Sequence, residues 1–572
     1  MLETAGIEVE AALLEGWRTR VARARRHLGW VGGAALARAH ASGTSLAIPA
    51  PCDVLFLATE VNEWAWCATL LEHDGARFAG LESALLSAAL EDAAEPALVI
   101  APVLEERAAF DRFERLGSRE ARPRLRALIA AGNARALPHA IDEEVLTLGS
   151  GYRSRSFKVA ELPDVGRVDW PALADIPTAI VTGSNGKTTS VRLIATCARA
   201  HGWPAAFNCT DGVFLDRELI EAGDYSGPVG ARRVLREKRA HAAILETARG
   251  GILRRGIAAS RAGVALVTNV SSDHFGEYGI DDLEGLADVK LSVAGLIHAD
   301  GLVVLNADDA VLRNRAAGLA ARFGRAPPLG WFALDADHPT LVEHRASGGA
   351  TAGVDGGRVR MSIEGVSSDL GAVVALPLAV GGSAVYNIAN LLGAALAAAA
   401  LGIPAETIAA VFASFGADPA DNPGRMMRFE IGGVSVIVDY AHNPEGLRGL
   451  LNVARYLGAG RGRLAVLLGH AGNRQDADLI AVARVAAEFR PDLVVVKEDE
   501  AHLRGRAAGE IPRILRAALI EAGVPASAAP LAGSELEAVG VALDWARPGD
   551  VLALLVHSSV ARDAVLELLR RR

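Results

Sequence analysis

Cysteine is scarce in this chain. Four occur in 572 residues, Cys52, Cys67, Cys197 and Cys209, at separations of 15, 130 and 12 positions. They form no C-x-x-C pair and no compact set, which excludes a zinc ribbon or disulfide framework and fits a reducing compartment. Long hydrophobic runs are missing too: no apolar stretch approaches about 18 residues. The amino terminus carries Glu3, Glu8 and Glu10 where a secretion signal would be positive. The expectation is a cytoplasmic protein with no membrane partner. A coherent basic face is also lacking, since the net charge is −9 and the densest cluster, Arg18, Arg20, Arg23, Arg25 and Arg26, has the spacing of a solvated helix face. Nucleic acid, whose phosphates need such a face, is excluded as a partner.

What is present is ordinary globular composition, 51% apolar and 22% charged. The length exceeds one core, and at about 150 residues per domain it favours three or four domains, of which three fit the pattern. Residues 1–165 read as an N-terminal α/β module, with helices over Ala11–Leu28, Leu81–Leu90 and Arg119–Ala131 and strands at Val54–Ala58 and Ala97–Ile100. Glycines and prolines around Gly149–Pro171 predict a loop and linker. Residues 170–418 alternate apolar strands (Ala179–Val181, Ala242–Leu245, Val264–Thr268, Leu302–Leu305) with helices, the pattern of βαβ units in a mostly parallel sheet. A β-rich excursion over Arg358–Val380 precedes an Ala-rich packing helix, Ile388–Leu401. Residues 424–572 repeat the theme as a Rossmann-like α/β domain, with strands Val434–Asp439, Leu464–Gly469, Leu493–Lys497 and Val551–Val556. Pro419, Pro423 and Gly424 mark the joint, so a cleft is expected there.

The most informative segment is IVTGSNGKTTS, Ile180–Ser190. A β-branched strand breaks into a glycine-flanked turn and a helix follows, a layout that presents backbone N–H groups to phosphate. Gly183, Ser184, Asn185 and Gly186 make the turn; Lys187 supplies a point charge, and Thr188 and Thr189 supply hydroxyls, that of Thr188 suited to a magnesium shell. The glycines lie three positions apart where the usual P-loop has five, with Val181 at the first position. Two further strands end in polar residues. Glu246 in LETARGG could hold magnesium; Asn269, Asp273 and His274 follow the other strand in TNVSSDH. Asn306, Asn387, Asn390, Asp439 and His442 have donors and acceptors suited to an adenine edge and ribose hydroxyls, and equally suited to caps and turns.

Taken in order, GSNGKTT, LETARGG, TNVSSDH, Lys290, NADD, YNIAN and DYAHNP resemble the Mur ligase superfamily over about residues 175–572. Thr210–Gly256, His470–Asp476 and Lys497–Ile511 are similar to its cyanophycin synthetase branch. The resemblance implies a magnesium-dependent amide ligase: ATP phosphorylates a carboxylate, and an amine displaces the phosphate. It implies that Lys187 binds the outer phosphates, that Thr188 and Glu246 hold the first magnesium, and that His274 and Lys290 serve the second, Lys290 at a position carbamylated in many relatives. It places Asn390 and Asn269 with the nucleotide, Asp439 on ribose, His442 beside it, and Arg425 on the transferring phosphoryl group. Thr210, Asp211 and Arg249 fall in the branch-specific stretch and are assigned to substrate. His470, Asn473, Arg474, Lys497, Asp499, Arg504 and Arg506 are candidates for the amino-acid pocket, where Arg504 and Arg506 could clamp a carboxylate.

Cyanophycin synthetase carries an additional ATP-grasp module. About 175 residues precede the P-loop here, too few for that module and a leading domain. The expectation is therefore one ligation, of an amino acid onto a peptide or polymer carboxylate, by a homo-oligomer working with a separate ATP-grasp ligase. The alternative is a non-ligating, nucleotide-binding Mur-like subunit that activates a carboxylate for a partner enzyme, although the zinc ribbon of such subunits is absent. The glycine spacing and DYAHNP argue against a P-loop kinase or switch.

Overall fold

Two large sheets form the framework of the computed structural model, which describes residues 1–4, 9–40, 43–78, 105–272, 275, 279, 280, 282–459, 462–472, 474–498 and 503–572. The central sheet has eleven strands. Seven are parallel, in the spatial order Ala205–Cys209, Ala242–Glu246, Thr178–Thr182, Ala262–Val267, Ile297–Asn306, Leu329–Phe332 and Ala350–Asp355. Antiparallel hairpins close both edges, Gly212–Leu215 with Glu218–Ala222 on one side and Arg358–Ile363 with Val366–Ala372 on the other.

Strict alternation along these strands builds a core on each face. Ala179, Val181, Ile244, Val264, Leu266 and Val304 pack with helices Lys187–Ala200 and Val385–Ala400. Ile180, Leu245, Ala265, Val267 and Leu305 pack on the other face with helices Pro228–Leu235 and Leu283–Leu291. Burial of each valine, leucine or isoleucine among them contributes about 1.5–3 kcal/mol, and two covered faces explain why the strands read as continuous apolar runs.

The C-terminal sheet has six strands: Met427–Ile431 as an antiparallel edge, then Val434–Asp439, Val551–Leu555, Leu464–Leu468, Leu493–Lys497 and Leu531–Ala532 in parallel. Both parallel sheets turn their strand C-termini toward the same cleft, where open α/β sheets bind ligands. The α/β fold class is thus the one the strand–helix alternation implies.

The N-terminal residues pack helices Ala11–His27, Leu55–His73 and Glu106–Glu120 around Trp17, Trp64 and Phe113, with a small antiparallel sheet. A second three-stranded sheet, His139–Ile141, Val145–Leu148 and Arg155–Lys158, docks on the central domain through Arg236, which binds Asp142, Thr147 and the Val145 carbonyl. The expected strand Val54–Ala58 is instead the start of helix Leu55–His73. Its apolar run continues through Val61, Trp64, Ala65 and Ala68 at helical spacing, so the short window misled. The expected helix Arg119–Ala131 is broken, because Arg122 before Pro123 leaves the α region and a new helix, Pro123–Asn133, begins. The segment expected to be loop, 149–171, contains the strand Arg155–Lys158. The helix Leu81–Leu90 and strand Ala97–Ile100 lie outside the described residues. The four cysteines are free thiols, and among the described residues no helix is long and apolar enough to cross a membrane.

Candidate functional site

The strand Thr178–Thr182 gives way to Gly183, and helix Lys187–Ala200 starts four residues after that glycine. Gly186 caps this helix in the left-handed region at φ 84°, and a Cβ there would lie 2.0 Å from Asn390 Oδ1. A Cβ on Gly183 would meet Thr268 Oγ1 at 1.9 Å. The loop is therefore compressed between Thr268 and Asn390, and only glycine fits either position. Gly186→Ala is expected to weaken binding of a non-hydrolysable ATP analogue about tenfold or more and to destabilise the fold by about 1–3 kcal/mol. Calorimetry and thermal melts check both; unchanged affinity would move the phosphate site off this loop.

Asn269 sits beneath the loop rather than in the cleft. Its backbone carbonyl accepts from Ser184 N at 2.9 Å, its Oδ1 accepts from Asn185 N at 2.8 Å, and its Nδ2 donates to Asn185 O at 3.1 Å. This corrects its assignment to nucleotide: the side-chain amide is spent on loop backbone. Two loop amides are thereby withdrawn from any anion, leaving those of the first helical turn, which have no intrahelical acceptor. Ser184 Oγ is likewise engaged with the Ser271 backbone.

The cleft above the loop measures about 900 Å³ and draws side chains from both sheets. Lys187 Nζ donates to the Gly183 and Ser184 carbonyls at 3.0 and 2.9 Å, holding the ammonium at the loop's mouth. Thr188 Oγ1 donates to Glu246 Oε2 at 2.8 Å, while Glu246 Oε1 is buried without a partner. Burial pushes the Glu246 carboxyl above the usual range, against the pull of Lys187, Thr188 and Arg425. A buried, half-satisfied carboxylate beside a threonine hydroxyl fits a divalent cation, which would take the open oxygen and restore the charge. Among the described residues no group of three or more histidine, cysteine or carboxylate side chains could hold a metal. Buried Lys290 and Arg249 line the same wall.

From the other domain, Arg425 stacks its guanidinium 4.2 Å from the Tyr440 ring centroid and donates to Thr210 Oγ1 at 3.4 Å. Its neighbour Met426 is left-handed at φ 51°, a strained state for a side chain of that size. Asp439 holds it there: Oδ2 accepts from Met426 N at 2.7 Å and Oδ1 from Ala441 N at 2.8 Å. Asp439 was expected on ribose, yet both oxygens brace the backbone that aims Arg425. Asn390, expected at adenine, packs on Gly186 and donates to Asn387 Oδ1 at 3.2 Å while lining the cleft.

His470 takes Ala471 N on Nδ1 at 2.9 Å and reaches the His442 carbonyl with Nε2 at 2.7 Å, an arrangement that fixes the neutral Nε2–H tautomer. Arg474 and Arg504 line the cleft beside it, Arg504 with its backbone at φ 43°. Three substrate assignments need correction. Lys497 is fully buried in an ion pair with Glu535. Arg506 is spent on Asp476, Glu510 and the carbonyls of Gly472 and Arg474, and does not line the cleft. Asp211, expected at substrate, binds Arg192 and Arg562 instead. His274, Asn473 and Asp499 lie outside the described residues.

Among the cleft residues that went unread is His557. His557 follows the strand Val551–Leu555, donates Nε2 to Ala441 O at 3.2 Å and faces Lys497 Nζ with Nδ1 at 3.4 Å. Burial, then Lys497 and His470, hold its imidazole well below the usual range, so it is neutral. The signal was available: a polar residue just past a parallel strand, the rule that selected Glu246.

Comparison with known proteins gives a consistent result. Residues 181–398 match the Mur ligase middle domain and residues 424–555 the Mur ligase glutamate ligase domain. Over 397 residues, 69% of this chain and 44% of the relative, it is 34% identical to cyanophycin synthetase of Crocosphaera subtropica. It is 35% identical over 399 residues, 69% of this chain and 42% of the relative, to that of Trichormus variabilis. It is 29% identical over 337 residues, 56% of this chain and 60% of the relative, to the UDP-N-acetylmuramoyl-L-alanyl-D-glutamate–2,6-diaminopimelate ligase of Chlorobaculum tepidum. The matched region spans less than half the length of the two cyanophycin synthetases.

Proposed function

Because this chain belongs to the Mur ligase family across its central and C-terminal domains, we propose that it is an ATP-dependent ligase joining an amino acid to a carboxylate of a peptide or peptide-like polymer. The observation that carries the reading is convergence: Lys187, the Thr188–Glu246 pair and Arg425 meet in one cleft from two domains. Phosphoryl transfer needs positioning and charge neutralisation more than covalent help, and this set offers both. A carboxylate oxygen attacks the terminal phosphorus, that bond forms as the bond to the ADP oxygen breaks, and an acyl phosphate results. The amine nitrogen then bonds the acyl carbon, phosphate leaves with the oxygen it gained, and the amine sheds a proton.

In this proposal Lys187 and the first-turn amides hold the outer phosphates and Arg425 faces the transferring group. Thr188 and Glu246 would hold magnesium, with Lys290, carbamylated, and His274 at a second site; bound magnesium supplies neutralising charge for the phosphates. Arg474, Arg504 and His470 receive the amino acid. Arg504→Ala is expected to raise the apparent constant for the amine about tenfold and that for ATP much less. An equal change in both would remove Arg504 from the pocket.

The proposal includes a homo-oligomer and a separate ATP-grasp ligase as a working partner. The test is a screen of the purified protein with ATP, magnesium, each amino acid and short acidic peptides, read by mass spectrometry. A product heavier by one amino acid residue, with one ADP per bond, is expected. ADP release without any amide product would replace the ligase by a carboxylate-activating subunit.

A further inference from the structure

The turn after strand Ala205–Cys209 carries Thr210 and Asp211, and it receives two arginines from the C-terminal side. Arg425 reaches Thr210, and Arg562, on the last helix Ser559–Arg571, binds Asp211 Oδ1 at 2.7 Å. The other carboxylate oxygen of Asp211 takes Arg192 at 2.5 Å. Arg192 lies on the helix that begins at Lys187, is buried, and also donates to Asn422 Oδ1 at 3.1 Å and the Pro423 carbonyl at 2.8 Å. Asn422 Nδ2 in turn donates to Thr189 Oγ1 at 3.2 Å. One acidic side chain thus ties the phosphate-loop helix, the inter-domain joint and the last helix of the C-terminal domain.

We propose that Asp211 is a positioning residue that seats the C-terminal domain through Arg562 and so brings Arg425 to the phosphate end of the cleft. Its consequence for turnover rests on the ligase reading; its consequence for domain placement does not. The ion pair is nearly enclosed, both side chains being 12% exposed, so water screens it poorly. Burial opposes charge on Asp211, but Arg192, Arg562 and Arg425 together hold its carboxyl below the usual range, so the clasp stays charged. Removing Arg562 leaves Asp211 paired with Arg192 on its own domain, so the tie to the C-terminal domain is lost while the tie to the phosphate-loop helix remains.

A second contact across the cleft points the same way. Asn443 caps helix Pro444–Leu457 through Oδ1 and spends its Nδ2 on Asn185 Oδ1 at 2.8 Å, while Asn185 Nδ2 reaches Glu445 at 3.1 Å. The side chain of Asn185, expected to serve the nucleotide, instead links the loop to the C-terminal domain.

The experiment compares wild type with Arg562→Ala and Arg562→Lys in the full chain, since Arg562 lies outside the cleft lining and its loss leaves the phosphate loop intact. Hydrogen exchange is followed at residues 209–212 and 424–427 with a non-hydrolysable ATP analogue, whose affinity is measured alongside. Arg562→Ala is expected to speed exchange at both segments about tenfold, change analogue affinity less than about threefold, and lower kcat about tenfold without raising KM for ATP. Arg562→Lys is expected to recover most of the loss. Unchanged exchange in Arg562→Ala, or an equal loss of analogue affinity and kcat, would overturn the proposal. Absence of turnover in wild type would count against the ligase reading, and the exchange result would still decide the role of Asp211.

Discussion

Lys187→Ala is expected to abolish amino-acid-dependent ADP release while the chain stays folded. The ammonium is pinned at the mouth of the loop by two backbone carbonyls, so it is aimed before any phosphate arrives and need not reorganise during transfer. Loss of one such pre-organised charge costs about 10²–10³ in kcat, and the loss is larger where the group also binds the ground state. The side chain is part-buried at the cleft and supports no core cluster, so thermal melts of the variant should match wild type. Coupled assay of ADP release settles the matter, and a folded variant with full turnover would remove the loop from the reaction.

Glu246 carries the second large effect, in opposite directions on activity and stability. Glu246→Gln should cost about a hundredfold or more in turnover and flatten the response to added magnesium, because the open Oε1 is the acceptor that a cation would use. The pH dependence follows from the raised carboxyl. Its folded value lies above the unfolded one, so its contribution to stability is present below the unfolded value and is lost as pH rises through the folded value. Glu246→Gln lacks that loss. Without nucleotide or metal, the melting temperature of the variant relative to wild type should therefore climb as pH rises above the ordinary carboxyl range. A flat difference there would mean the carboxylate is not strained by burial.

Most of the central domain could be read from its residues because two covered faces leave apolar runs of strand length, punctuated by glycine and by polar residues where each run stops. Glu246 was found that way. Lys497, which the resemblance placed in the amino-acid pocket, also ends a strand yet does not reach the cleft. The difference is pleat parity. Glu246 shares a face with Ile244, the side of the phosphate-loop helix, whereas Lys497 shares one with Leu493 and Val495 and turns under helix Glu535–Trp545. A strand buried on both faces does not encode which face looks at the cleft. Asn269, Asp439 and Asp211 illustrate a second limit of legibility. A carboxylate or amide suited to a ligand is equally suited to backbone N–H groups or to guanidinium partners, and only the folded chain shows which it meets. The helix at Leu55 escaped for a simpler reason, since a short apolar run fits a strand and a buried helical turn alike.

The most direct measurement follows one oxygen atom. With a carboxylate acceptor labelled with oxygen-18 and the amino acid that the screen identifies, each amide formed should deliver one labelled oxygen to the released phosphate. Phosphate carrying no label, alongside genuine amide product, would contradict transfer of the terminal phosphoryl group to the acid.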